Sequence, residues 1–161
     1  MNMIYFVLLN LAIYMPFHLF EEAIGDFPKW MYEHKWLPHH MTHGHWMANN
    51  IFIYYPPLLL AVFLFLMSPS MVCFGIGILV WGVINFGDHF FYTIKGRKVS
   101  PGLITGILFI TYSVLGLRNY MLSDIFSVGQ LVIGGLIGRV LFGMPIGLCK
   151  FFYNFFEKYI K

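Results

Sequence analysis

The stretch from Pro16 to Glu22 places one imidazole and two carboxylates at the end of an apolar run. His18, Glu21 and Glu22 stand at positions i, i+3 and i+4, so a helix presents all three side chains on one face. Imidazole and carboxylate groups together suit Zn²⁺, Fe or Mn²⁺. Ionisable groups inside an apolar segment are energetically unfavourable, so their presence usually indicates a functional site. The stretch predicts a metal-binding or acid–base site.

A second polar set, Asn85, Asp88 and His89, repeats this spacing further along the chain. At 1.5 Å per helical residue, His18 and His89 both lie roughly 7–8 Å below the same membrane face. The two histidines and a neighbouring glutamate provide three protein ligands and leave a position open for water. We therefore expect the two sets to form one site, although a lone His89 more often serves as a hydrogen-bonded structural residue.

Arg139 is the deepest charged residue, about 13 Å below the same face by the same rise. An unpaired cation at that depth is unfavourable, so we expect Arg139 to face the bundle interior. Its partner is then a carboxylate of the site or the anionic group of a substrate. The fourth apolar segment begins on this side too and points its positive N-terminus, with Thr105 one turn in, at the same layer.

Four histidines precede the second apolar segment: His39, His40, His43 and His45. Short tracts rich in histidine can bind metal. A solvated loop is the plainer interpretation of each one. His43 and His45 lie nearest the apolar segment and are the better candidates.

The elements that position these residues are membrane helices. Hydrophobic residues make up 59% of the 161-residue chain and charged residues 11%, whereas soluble domains carry about 25% charged residues. Mean hydropathy is +0.73. A net charge of +3 is too diffuse for nucleic-acid binding. We predict an all-α fold, a single membrane-embedded domain over residues 1–161 in contact with the lipid bilayer, with five transmembrane helices at about 3–23, 46–67, 71–94, 102–121 and 125–148.

Basic residues divide unevenly between the connections. One side of a five-span bundle holds only Arg118, and the other holds eight basic residues: Lys29, Lys35, Lys95, Arg97, Lys98, Lys150, Lys158 and Lys161. The positive-inside rule then places the N-terminus outside, the C-terminus in the cytoplasm and the polar site in the cytoplasmic half of the bundle.

Prolines predict interruptions in these helices. Pro16 leaves the Ala12 carbonyl without its usual donor, and the pair at 56–57 does the same in the second span. Ser100 and Pro101 have the pattern of an N-cap followed by proline at the first helical position.

Two stretches have the composition of interfacial segments. Residues 150–161 are rich in aromatic residues and lysine but too short to cross the membrane, so they predict a short amphipathic segment on the cytoplasmic surface. The loop 26–45, with Trp30, Met31 and Trp36 among charged residues, has the same character.

Three short motifs resemble the HXXEE-motif family of uncharacterised bacterial integral membrane proteins. The sequence HLFEE at 18–22 supplies the naming motif, NFGDH at 85–89 is similar to its N-x-x-x-H element, and PGLIT at 101–105 is similar to its P-G-x-x-T segment. The resemblance implies a multi-span protein of the bacterial cytoplasmic (inner) membrane whose polar motifs form one site. It implies no particular reaction.

Three functions are compatible with these observations. The first is a metal-dependent membrane enzyme, with hydrolysis of a lipid or other amphipathic substrate as the preferred chemistry. The metal ligands would come from His18, Glu21, Glu22 and His89, and the catalytic roles from Glu21 or Glu22 as base, Asn85 as orienting group and Arg139 as anchor for an anionic headgroup. The second is a protein that binds or transports a small ligand, an ion or protons. The third is a structural subunit with an internal polar network.

Overall fold

The computed structural model describes residues 3–35 and 41–159, without the side chains at 149–157 and 159. Within this part the chain forms helices and no strand. Five helices are long and apolar enough to cross a membrane, which confirms the predicted number of spans. We name the elements α1 (Met3–Ile24), α2 (Phe27–Glu33), α3 (His43–Met67), α4 (Val72–Gly96), α5 (Leu103–Met121) and α6 (Val128–Tyr159).

The third span, α4, is the centre of the bundle and packs against the other four spans. Its side chains Leu79 and Trp81 are fully buried and share one apolar core with Phe109 of α5. Close approach to α6 depends on glycine, because a methyl group at Gly134 would lie 2.5 Å from the Ile76 side chain. The small residue therefore lets α4 and α6 pack tightly at this point.

The prolines of α1 and α3 are accommodated by wider helical turns. Pro16 lies inside a π-helical turn, Tyr14–His18, and a second π-helical turn, Asn50–Tyr54, ends just before the paired prolines of α3. The two turns are joined, because the Tyr14 hydroxyl donates a hydrogen bond to Asn50 Oδ1. Widened turns of this kind are frequent at functional sites.

The first loop packs on the bundle through α2, and its expected position along the membrane surface stays a prediction. Phe27, Trp30 and Met31 of α2 are buried against Trp46 and Tyr92. Glycine makes this contact possible, since a methyl group at position 96 would meet the Trp30 ring at 3.1 Å. Trp36, His39 and His40 lie outside the described residues.

The last helix continues without interruption from the fifth span through Tyr159. The segment predicted at 150–161 is therefore helical up to Tyr159 and is not a separate element. Its position on the cytoplasmic surface and the orientation of both termini stay predictions.

Candidate metal centre

Three side chains from two spans meet inside the bundle: His18, Glu22 and His89. Each imidazole Nε2 lies 3.4 Å from Glu22 Oε1, and the three ligand atoms lie within 4.8 Å of one another. The residues are 1%, 3% and 3% exposed. This group, called the triad below, could hold a metal ion. The expectation that the first and third spans bring His18 and His89 together is confirmed.

The triad depends on register between α1 and α4, which run in the same direction as the first and third spans. Tyr14 packs edge-on against Trp81 at 5.1 Å between ring centroids. Eight residues later in both helices, Glu22 faces His89. Because the same number of residues separates the two layers in both helices, one register between α1 and α4 sets both contacts. The π-helical turn of α1 ends at His18, immediately before this layer.

The two Nε2–Oε1 distances of 3.4 Å are compatible with a metal ion held between the three ligand atoms. Hydrogen bonds between nitrogen and oxygen span about 2.7–3.2 Å. Ligands about 2.0–2.1 Å from a tetrahedral ion are separated by about 3.3–3.4 Å, whereas octahedral ligands at a similar bond length are about 3.0 Å apart. Glu22 Oε2 is also buried and has no hydrogen-bond partner within the described residues.

Gly102 brings the N-terminus of α5 against both imidazoles. Its φ of +95° is a conformation that residues with a side chain rarely adopt. A methyl group here would contact the Cε1–Nε2 edge of His89, with 2.8 Å to Nε2, and would lie 2.9 Å from His18 Cε1. Backbone conformation and space therefore both require glycine at this position.

Each imidazole makes a second contact on its other nitrogen. His18 Nδ1 lies 2.7 Å from Thr105 Oγ1, and His89 Nδ1 lies 3.1 Å from Ser100 Oγ. Thr105 therefore reaches the predicted layer. The prediction of Ser100 as the N-cap of α5 is wrong, because α5 begins at Leu103 and its N-cap is Gly102.

Glu21 caps α5 from a different helix. One carboxylate oxygen accepts from the Gly102 and Ile104 amides at 3.0 Å each, and the other accepts from the Thr105 amide at 2.8 Å and its hydroxyl at 2.6 Å. Both oxygens are thus occupied, and Glu21 is outside the triad. The prediction of Glu21 as a metal ligand or base is not supported, because one residue along a helix rotates a side chain by about 100°.

A family model described as a protein of unknown function with HXXEE motif matches residues 8–115. This region is more than half of the chain and contains the triad, Glu21 and Thr105. The chain belongs to the HXXEE family. No curated protein and no solved structure matches it.

Two further candidates of this HXXEE protein have different positions. Asn85 is buried one turn before His89, and its Oδ1 has no hydrogen-bond partner within the described residues. Arg139 is exposed, and its charge acts on the Asp88 carboxylate of α4 without a hydrogen bond or salt bridge between the two side chains among the described residues. The expected burial of Arg139 is therefore wrong. Gly138 occupies the face of α6 that packs on α4, and Arg139 is rotated about 100° away from that face.

The described loop histidines do not join the triad of the HXXEE protein. His43 is exposed, with Nε2 at 3.2 Å from Asp26 Oδ1. His45 is buried near the start of α3. The other two, His39 and His40, lie outside the described residues.

An aromatic cover closes the loop side of the triad in the HXXEE protein. Phe27 packs against the His89 ring at 5.1 Å and against Trp46 at 5.2 Å. Trp30 and Met31 pack beside Phe27 and complete the cover. Sequence reasoning assigned these residues to the membrane surface, although the i, i+3 and i+4 spacing of positions 27, 30 and 31 is typical of a helix with one buried face.

Proposed function

We propose that the protein is a membrane-embedded, metal-dependent hydrolase that acts on a lipid or another amphipathic substrate. The observation that carries the proposal is the buried triad, with both Nε2 atoms 3.4 Å from one carboxylate oxygen. Two imidazoles and one carboxylate are a ligand set used by catalytic zinc. We take Zn²⁺ as the metal to test first, and Fe and Mn²⁺ are the other two metals that suit these ligands.

A metal with three protein ligands keeps a fourth position for water and activates that water as a nucleophile. Glu22 Oε2, buried and without a hydrogen-bond partner in the described residues, is available to accept a hydrogen bond from the water. We assign Asn85 to orient the water or the substrate, because its buried Oδ1 lies one turn from His89 and also has no such partner. Arg139 has no role in this proposal, since it does not reach the triad.

The surroundings of the triad support a substrate that comes from the bilayer. Phe27, Trp30 and Met31 cover the loop side. The remaining surroundings are spans whose outer surfaces carry exposed apolar residues such as Phe17 and Phe20. A molecule that dissolves in the membrane is concentrated beside these helices, whereas a charged metabolite is not. We place the protein in a bacterial cytoplasmic membrane, with the triad in the cytoplasmic half.

The test is incubation of the zinc-loaded protein in detergent with a total membrane lipid extract, followed by mass spectrometry. Hydrolysis predicts that one lipid class disappears and that the masses of its two products sum to the substrate plus one water. Glu22→Gln should abolish the change, and His43→Ala, an exposed histidine outside the triad, should not. The absence of any metal-dependent change would contradict the hydrolase.

A second candidate is ion or proton transport, favoured by polar residues that continue outward along α1. His18, Tyr14 and Asn10 follow one another at one-turn intervals and are all buried. Asn10 Oδ1 accepts a hydrogen bond from Ser113 of α5 at 3.4 Å. Flux across liposomes that contain the protein, lost in Tyr14→Phe, would support transport in place of hydrolysis.

A further inference from the structure

The two glutamates of the motif occupy different places: Glu22 faces the imidazoles, and Glu21 accepts four hydrogen bonds at the start of α5. Thr105 connects them, because its hydroxyl lies 2.6 Å from Glu21 Oε2 and 2.7 Å from His18 Nδ1. Glu21, Thr105 and His18 therefore form a chain of short contacts that ends at the triad.

The direction of hydrogen bonding along this chain is determined by the hydrogens available. An ionised carboxylate only accepts, and a threonine hydroxyl has one hydrogen to donate. The Thr105 hydroxyl lies 2.6 Å from Glu21 Oε2 and 3.3 Å from the Gly102 carbonyl. Its hydrogen lies toward Glu21, since two acceptors at 2.6 Å would repel, whereas the carbonyl at 3.3 Å does not require it. The hydroxyl oxygen then faces His18 Nδ1 as an acceptor, so Nδ1 must carry a hydrogen.

We propose that Glu21 and Thr105 are positioning residues that fix the tautomer of His18. With Nδ1 as the donor, neutral His18 presents the lone pair of Nε2 to a metal held between it and Glu22. Ligating histidines commonly donate their other ring N–H to a carboxylate or carbonyl in this way, which orients the ring and strengthens the ligand. In this protein the Thr105 hydroxyl lies between the Glu21 carboxylate and His18, so the carboxylate acts on the imidazole through the hydroxyl. The inference rests on the proposed metal centre and gives the first glutamate of the motif a role distinct from the second.

His89 has no equivalent constraint. Ser100 Oγ lies 3.1 Å from His89 Nδ1 and 3.2 Å from the Pro101 carbonyl, so its hydrogen is free to point either way. No carboxylate is among the hydrogen-bond partners described for Ser100. The structure therefore assigns the fixed tautomer to His18 alone.

The experiment compares zinc affinity in the full-length protein for Thr105→Val, which removes the hydroxyl at nearly constant volume, and Thr105→Ser, which restores it. Thr111→Val is the matched control, because Thr111 lies on the same helix, is exposed and bonds only its own helix through the Ile107 carbonyl. Loss of a hydrogen-bond partner to a ligand typically weakens metal binding about 10–100-fold. We expect that loss in Thr105→Val and near wild-type affinity in Thr105→Ser and Thr111→Val.

Nitrogen NMR of histidine-labelled protein provides a readout that a purely structural role would not change. At a pH where the imidazoles are neutral, His18 in the wild type and in Thr105→Ser should carry its hydrogen on Nδ1. In Thr105→Val this preference should be lost while the circular dichroism spectrum stays that of the folded protein. A hydrogen on Nε2 in the wild type, or zinc affinity in Thr105→Val equal to that of the wild type, would overturn the inference.

The two proposals fail separately. If the wild type binds no zinc, the metal centre is wrong, and the NMR measurement still decides the tautomer. If the wild type binds zinc and Thr105→Val binds it equally well, the metal centre stands and the positioning role is wrong.

Discussion

Replacement of Gly102 by alanine tests whether the geometry of the two imidazoles matters. The added methyl group would lie 2.8 Å from His89 Nε2 and 2.9 Å from His18 Cε1, and both distances are shorter than carbon atoms tolerate. The residues cannot relax locally, because α5 is held at this point by the Glu21 cap. The rings must therefore move away from their positions around Glu22.

The expected loss in the free energy of unfolding has two parts. A side chain at a φ of +95° costs about 1–2 kcal/mol, and overpacking in a close-packed interior costs about 1–3 kcal/mol. We expect the free energy of unfolding of Gly102→Ala to fall by about 2–5 kcal/mol. Zinc affinity should fall by at least the factor of about 10–100 seen when the support of a ligand is disturbed.

The assay combines thermal unfolding in detergent with a zinc competition titration. Gly87→Ala is the matched control, because Gly87 lies two residues before His89 and a methyl group there meets nothing within 4 Å. Alanine inside a helix is favoured over glycine by about 0.5–1 kcal/mol, so the control should be as stable as the wild type or more so, with unchanged affinity. Wild-type affinity in Gly102→Ala would refute the assigned position of the rings.

Three further predictions follow from other parts of the bundle. Gly82→Ala places a methyl group 2.5 Å from Ser113 Oγ and 2.7 Å from Asn10 Oδ1, so it should destabilise the protein by about 1–3 kcal/mol. The second substitution Ser113→Ala in the same chain should recover part of this loss, and an unchanged melting temperature in Gly82→Ala would contradict the packing. Arg139→Leu should change the free energy of unfolding by less than about 1 kcal/mol, because Arg139 is exposed and its interaction with Asp88 is not a buried ion pair; a loss of several kcal/mol in denaturant titration would show that Arg139 is buried. A reporter fused after Lys161 should be active only in the cytoplasm, from the excess of basic residues on that side, and activity only outside would reverse the topology.

The span count and the principal pair of helices could be predicted because they depend on local composition and spacing. Apolar length alone identifies the five spans. The repeated i, i+3, i+4 spacing identifies the polar faces of α1 and α4, and depth counting matches His18 with His89.

The different roles of Glu21 and Glu22 could not be predicted from the sequence. Both residues lie on the polar face of α1, but the neighbour that each meets depends on how α4 and α5 surround α1. Glu22 faces His89, whereas Glu21 faces the amides at the start of α5. Spacing within one helix gives the face and not the neighbour.

The positions of Arg139 and of the first loop also could not be predicted from the sequence. From the sequence alone, Arg139 is expected to face the bundle interior because an unpaired cation at that depth in the membrane is unfavourable. Arg139 is instead exposed on α6. The aromatic residues of α2 have the composition of an interfacial segment, but they are buried. Gly25 lets the loop approach Pro101 closely, and Gly96 of α4 leaves room for the Trp30 ring. Composition alone does not reveal such tertiary contacts.

The metal content of the protein purified in detergent tests the central claim most directly. Mass spectrometry of the wild type and of His43→Ala, which alters an exposed histidine outside the triad, should give one zinc ion per chain. His18→Ala removes one of the three ligands and should retain little or none. Zinc bound equally by the wild type and by His18→Ala, or absent from the wild type after purification in zinc-containing buffer, would contradict the metal centre.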